Sequence, residues 1–464
     1  MVPAVKRAIQ TSSLATLLGL VPHYAAFYFF GSPLWTETIA EWIMAHTPSH
    51  YAVPLLQTLG AWAKPFAVTG ALASLGFLVF LALPLKWLGP ALAAIGLAYV
   101  FQYHSWLGQV SFWLPVAWAS ARQPATPVVG RRRFLGSAVM TAGVFGVALE
   151  SYAREQALAR RATHPVALFP FQQPAERFGA GLVRKAVTPV PEFYGMSKNT
   201  VDPAIHPATW SLRITVDGRE VKRFRYEELL ALPRVERYVT LRCVSNTLKS
   251  DLMGTAAWSG IQLGQLMDRG ALPPGIVEAA ILGLDGHGDS LTLDYAYGGE
   301  TLLALGMNGF TLDRTHGFPL RLLVPRYYGF KNVKWISEIA FVSRPYFGTW
   351  PKLGYTREPV IHIASHIDRI QKLGDSWKIA GVSFAGTRGI QAVDVRADEG
   401  PWIPAELEAP LSAYTWTRWI ATVPGSAAKQ IEARAQDSQG RWQESSEGPL
   451  FPDGVTGPTV RRLG

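Results

Sequence analysis

The sequence predicts three parts in tandem: a helical membrane region, a domain of mixed strands and short helices, and a C-terminal β-sandwich. Three observations carry this. Charge is nearly absent from the first third of the 464 residues, strand-like alternation begins abruptly at Trp210, and short strands with turn signals recur after Pro359. Charged residues make up 17% of the chain, below the roughly 25% of an ordinary soluble protein. Up to Glu150 the chain carries eight basic and three acidic residues; the remainder carries 36 and 31, a normal soluble balance. This excludes a fully soluble, a disordered and a disulfide-scaffold protein. The net charge of +10 partly reflects short basic loops of a membrane region, so no nucleic-acid partner is expected.

The membrane region, residues 1–150, is expected to hold about five transmembrane helices. A hydrocarbon core about 30 Å thick takes about 20 helical residues. Residues 8–36 and 87–121 are uncharged, and 65–85 and 134–149 are strongly apolar. As one helix the stretch 87–121 would be roughly 50 Å long, too long for one crossing, so it reads as two helices turning near Tyr103-His104-Ser105. With five spans, Lys6/Arg7, Lys86 and Arg122/Arg131–Arg133 all fall on the cytoplasmic side, and everything after residue 150 falls outside. Four spans would leave one basic cluster on the wrong side. Gly130-Arg131-Arg132-Arg133-Phe134-Leu135 also resembles a twin-arginine export signal, with 157–159 as a cleavage site too far from the apolar run to favour cutting. The expectation is a multi-pass protein of a bacterial cytoplasmic membrane, in contact with lipid, whose globular part is extracytoplasmic. His23 and His104 are candidate ligands of a b-type haem between the helices, but they read better as polar lining near the interfaces.

Residues 151–187 read as a polar linker, 188–355 as the mixed α+β domain and 356–464 as the sandwich. Residues 210–216 alternate apolar and polar before the Asp217-Gly218 turn. Residues 226–231 are predicted as a short helix, 239–244 as a strand delivering Cys243, 263–269 as a helix ending near Gly270, and 320–325 as a buried strand. Residues 345–359 read as irregular. The sandwich strands are expected at 377–383, 390–397, 415–423 and 430–436.

Cys243 is the single cysteine. It excludes an intrachain disulfide, CxxCH haem attachment, iron–sulfur clusters held by the chain's own cysteines and four-cysteine zinc sites. The glycine-rich stretch 283–288 lacks dinucleotide-binding spacing, and no Walker A or GxSxG sequence occurs. His362 and His366 are four apart but lack the zincin glutamate and fall in a predicted strand, which reads as structural. A lone cysteine is more often an inert core residue than a ligand.

More specific are Met307-Asn308-Gly309, the run from Asp313 through His316-Gly317-Phe318-Pro319 to Arg321, Val324-Pro325, and Gly329-Phe330-Lys331-Asn332-Val333-Lys334-Trp335. Together with Leu241-Arg242-Cys243-Val244-Ser245-Asn246, they resemble the molybdopterin-binding domain of the sulfite oxidase family. Residues 185–464 are covered, and the order of the motifs is kept. The resemblance implies a sulfite-oxidase-type α+β molybdopterin domain, a C-terminal immunoglobulin-like domain of the dimerisation type, and a possible homodimer. It implies molybdenum held by one pterin dithiolene and by Cys243, the metal ligand. A soft thiolate suits a metal that cycles between oxidation states. It further implies Tyr194, Asp285, His316, Arg321, Asn332, Val333 and Lys334 as cofactor-binding residues, with Asn332 and Val333 offering backbone contacts. Arg321 can fork onto a phosphate as lysine cannot. Taken singly, each basic residue reads as a surface charge and His316 as a loop histidine; the cluster carries the reading.

Lys198 is the nearest cation where the family's substrate-facing arginine is missing, and Arg388 matches the arginine contributed by the dimerisation domain. With Cys243 they form the implied catalytic set. Thr247 and Leu248 stand where animal and plant sulfite oxidases have arginines, and Tyr295 and Tyr297 lie only near the substrate-site tyrosine. The expected activity is oxygen-atom transfer to or from a small oxyanion or sulfoxide, with electrons exchanged with an external carrier, a cytochrome or a quinone system. The alternatives are a sulfoxide reductase of the periplasmic methionine sulfoxide reductase type and a membrane-tethered binding protein working through its immunoglobulin-like domain.

Overall fold

The structure, a computed structural model, describes residues 165–463 except 176, 179–180, 199–201, 249 and 426. The expected membrane helices, the twin-arginine-like motif, His23 and His104 lie outside the described residues. Among the described residues no helix is long and apolar enough to cross a membrane.

The alternating run after Trp210 forms β1 (Ser211–Val216), which the Asp217-Gly218 turn folds back into β2 (Arg219–Arg225). Leu212 and Ile214 point inward with no exposed surface, while Arg213 faces out, the period-two pattern of a half-buried strand. Helix α1 (Tyr226–Leu230) follows as expected, and Glu228 accepts from the Arg225 amide at its start. Next come β3 (Val235–Arg242), β4 (Met253–Ile261), β5 (Glu278–Gly283) and β6 (Gly288–Thr292). After these come helix α2 (Leu293–Ala296), β7 (Leu302–Met307), β8 (Phe310–Thr311), β9 (Arg321–Leu323) and β10 (Ile336–Val342).

These strands make two sheets, ordered β2-β1-β10-β5-β6 and β3-β4-β7-β8, with β9 on β7. One large core joins both, from Leu212 and Ile339 on the first sheet to Trp258 and Leu305 on the second. Each fully buried side chain of this size stabilises by about 1.5–3 kcal/mol. Asn308 and Gly309 both have positive φ, so they turn β7 into β8 as a two-residue hairpin. The Asn308 carboxamide also accepts from the Ala257 amide and donates to Thr188 O, at 2.9 Å each.

Two expectations are corrected. Residues 263–269 form no α-helix but two 3-10 turns, Leu263–Gln265 and Arg269–Ala271. Gln265 closes the first turn on the Gln262 amide, and Asp268 starts the second on the Gly270 amide. The strand before Cys243 ends at Arg242, so the cysteine stands just beyond it, where its amide donates to Leu252 O at 2.9 Å.

The C-terminal part is two four-stranded antiparallel sheets, drawn from β11 (Ala364–Leu373), β12 (Ser376–Phe384), β13 (Ile390–Ala397), β14 (Ile403–Pro404), β15 (Glu406–Leu407), β16 (Thr417–Pro424), β17 (Gln430–Asp437) and β18 (Thr459–Arg462). Their orders are β11-β12-β16-β15 and β14-β13-β17-β18. A separate core containing Ile379, Val395, Trp419 and Ile431 lies between them. A third cluster, with Val183, Val244, Tyr328, Ile361, Val382, Phe384 and Trp416, packs this sandwich against the segment after Cys243.

Candidate molybdopterin site

The cationic half of the site is built around a tight turn. Asp313 accepts from the His316 amide at 2.7 Å, and Gly317 follows at φ +104°. A methyl group on Gly317 would stand 3.0 Å from Lys334 Cβ and 3.2 Å from Arg321 Cβ. Glycine therefore lets the Asp313–Arg321 run and the Lys334 motif converge, since an L side chain there would be both strained and crowded.

His316 is buried, its ring edge-on to Phe193 at 5.4 Å. Its Nε2 lies 3.3 Å from Val190 O, and because a carbonyl only accepts, that nitrogen carries the proton. Burial lowers its pKa; Asp313 and Val190 O oppose the shift, while Arg321 and Lys334 add to it. Arg321 is 6% exposed, lies 5.0 Å over the Trp258 ring and donates to His316 O at 3.0 Å. Burial pushes its pKa down to about 10, against the pull of Tyr194 and Asp313. Its Nε has no hydrogen-bond partner, and no carboxylate among the described residues pairs with it. A buried guanidinium in that condition is costly, and an anionic group would compensate it.

Lys334 Nζ donates to Ser197 Oγ at 2.9 Å and Thr315 O at 2.8 Å. Trp335, at φ 51°, turns the chain from Lys334 into β10, and its indole donates to Arg314 O. Asp285 is buried and accepts from the His287 amide at 3.0 Å. A methyl on Gly283 would meet both Lys334 O and Asp285 Oδ1, and Lys198 Nζ lies 3.7 Å from the corresponding point on Gly286. Lys198, Asp285 and Lys334 thus share one neighbourhood.

Asn332 and Val333 serve the scaffold. The Asn332 carboxamide accepts from the Val324 amide at 2.8 Å and donates to Tyr328 O, while Val333 bonds Lys331 and Leu322 through its backbone. Beside them, a methyl on Gly329 would stand 3.0 Å from the Tyr194 hydroxyl and 3.5 Å from Cys243 Cα. Cys243 is 7% exposed. Burial pushes its thiol up, while Ser245, Arg242 and the Val244 amide pull it down. Tyr194 is raised by burial and by Cys243, countered by Arg321, which ties the cysteine to the cationic half.

Arg388 lies on the Gly386–Arg388 turn of the sandwich. It pairs with buried Asp437 at 3.0 Å and donates to Ile361 O at 2.8 Å. Arg242, which the sequence reading passed over, donates to the next carbonyl, His362 O, at 3.2 Å and lies over the Tyr328 ring. Its signal was a basic residue at the buried end of β3. Tyr355 was also missed; burial and Cys243 push its pKa up to about 12. It packs among Phe330, Trp350 and Phe451, so only the fold brings it there.

The residues fit a phosphate-bearing, polar cofactor: a compensating anion for Arg321, a donor in Lys334, an acceptor in His316 Nδ1, and a soft ligand at Cys243. Residues 199–350 match the oxidoreductase molybdopterin binding domain. The chain is 25% identical over 330 residues to sulfite oxidase of Arabidopsis thaliana, covering 57% of this chain and 84% of that one. It is 27% identical to mitochondrial sulfite oxidase of Mus musculus, over 62% of this chain and 65% of that one. A catalytic subunit of protein-methionine-sulfoxide reductase from Gluconobacter oxydans is 35% identical over 191 residues, 36% of this chain and 59% of that one. The crystal structure of sulfane dehydrogenase from Paracoccus pantotrophus shares the fold, with a TM-score of 0.53 and 17% identity over 63% of this chain and 90% of that one. Fold and site therefore define a molybdopterin-dependent oxidoreductase. The chain is similar to sulfite oxidases over 57% and 62% of its length.

Proposed function

We propose that this protein transfers an oxygen atom to or from a small oxyanion or sulfoxide, with Cys243 as the protein ligand of molybdenum. The observation that carries the proposal is the convergence of a buried thiol, the Tyr194 hydroxyl and an uncompensated buried Arg321. The bound cofactor supplies two-electron redox chemistry at the metal. Arg321 would compensate the phosphate, Lys334 would donate to the polar edges of the pterin, and Asp285 and the unprotonated Nδ1 of His316 would accept from them. Cys243 would hold the metal as a thiolate, the metal's charge offsetting the upward push of burial on the thiol. Lys198 would orient the substrate's oxygen, that of an oxyanion or of a sulfoxide, from the Asp285 side. Arg388 serves the substrate side through the carbonyls entering the sandwich, which acts as an immunoglobulin-like dimerisation domain.

Electrons pass to or from an external cytochrome or quinone system. The protein is anchored in a bacterial cytoplasmic membrane with this domain outside. A sulfoxide substrate is favoured by two observations: the likeness to the Gluconobacter reductase, and the pairing of Arg388 with Asp437, which neutralises a cation that an oxyanion would need. Elemental analysis of the purified protein with an activity screen tests the proposal. Molybdenum with turnover of sulfite or a sulfoxide supports it; a metal-free protein inert to both rejects it.

A further inference from the structure

The histidine pair His362 and His366 has no part in the chemistry above, yet His366 touches the segment that carries Cys243. That segment, residues 243–252, is closed by Asn246, which is fully buried. The Asn246 Oδ1 accepts from Ser250 Oγ at 3.0 Å and from the Leu252 amide at 2.9 Å, and Leu252 O in turn accepts from the Cys243 amide. The other end of the carboxamide, Nδ2, faces His366 Nε2 on β11 at 3.5 Å. Burial, then Arg184, Arg242 and Arg461, push the His366 pKa down to about 3. The ring is thus neutral and can accept from an amide N–H.

A second link leaves the same strand two residues later. Asp368 takes a forked pair from Arg184, whose other nitrogen reaches Asp251 at 2.7 Å, at the far end of the Cys243 segment. The Arg184 guanidinium also lies over the Trp416 ring at 5.3 Å. The segment is therefore held at both ends from β11: directly through Asn246, and through Arg184 at Asp251.

We infer that β11 of the C-terminal sandwich is a clamp on the metal-ligating segment, in which His366 and Asp368 are positioning residues that fix Cys243. This assigns the sandwich a task within each subunit, and it rests on Cys243 being the metal ligand. A ligated thiolate is shielded from alkylation, so the clamp is read by how often the ligand lets go. Cys243 is the single cysteine, so modification is unambiguous.

The experiment uses the full-length chain with its molybdenum content measured, and follows alkylation by N-ethylmaleimide with and without bound molybdenum. His366→Leu and Asp368→Asn are expected to speed labelling of the loaded protein about tenfold, the effect of one lost hydrogen bond on a local opening. Molybdenum content stays unchanged and kcat falls more than KM. His366→Gln, which keeps an acceptor, stays near the parent rate. Should a core variant fail to fold, Asp251→Asn tests the second link at a side chain that is 69% exposed. Labelling at the parent rate in all variants, or equal rates for His366→Leu and His366→Gln, overturns the clamp. A parent that labels as fast with molybdenum as without it overturns the ligand assignment itself.

Discussion

Replacing Arg321 by methionine should have different consequences in the loaded and the cofactor-free protein. Burial lowers the Arg321 pKa from 12.5 to about 10, so the fold carries the charge at a cost of about 3 kcal/mol when no anion is present. Methionine removes that cost and keeps most of the volume against Trp258. It forfeits the hydrogen bond to His316 O and the stacking, together about 2–3 kcal/mol. The two nearly cancel, so the cofactor-free protein should change by less than about 1 kcal/mol. With the cofactor bound, the charge is compensated, and its loss should weaken retention by about 3 kcal/mol or more, roughly a hundredfold. Urea unfolding of protein prepared with and without cofactor, alongside molybdenum content, measures both arms. A loss of 3–5 kcal/mol in the cofactor-free protein would mark Arg321 as an ordinary structural arginine and refute the reasoning.

Three further outcomes are expected. Gly317→Ala should destabilise by about 2–4 kcal/mol, from its positive φ and from crowding Lys334 and Arg321, and should lower cofactor content; unchanged unfolding would contradict the convergence drawn at this turn. Burial raises Asp437, but hydrogen bonds from the Arg441 backbone and guanidinium and from the Gln439 amide outweigh it and hold the carboxyl below its ordinary value. Its stabilisation is therefore complete above about pH 4 and is lost as pH falls through the lower folded value, and Asp437→Asn should flatten that acid limb in a denaturation series. In spheroplasts, Arg131→Lys with Arg132→Lys should leave the domain protected from external protease; export equal to the parent would make the last apolar run an ordinary anchor.

How much of this was legible in the sequence differs by element. The strand 390–397 and the short helix from Tyr226 were readable because alternation and a turn or proline bound them on both sides. The motifs around Cys243, His316 and Lys334 were readable as a resemblance; Gly317 explains why the last two meet, and Gly329 lets Tyr194 approach Cys243. The helix expected at 263–269 was not realised, because two local side-chain caps divide it. Long-range partners left no local trace. Asp437 is 49 residues from Arg388, and His366 is 120 from Asn246. Arg184, which joins Asp251 and Asp368, lies in a stretch whose polar composition reads as a linker.

The account turns on Cys243 as the metal's protein ligand. X-ray absorption at the molybdenum edge, on parent and Cys243→Ser protein, tests it most directly. An alcohol is a harder, less acidic ligand than a thiol. The account predicts folded Cys243→Ser protein that retains part of its molybdenum, has little activity and shows one sulfur fewer around the metal. An unchanged sulfur shell, or full activity in this variant, would contradict it.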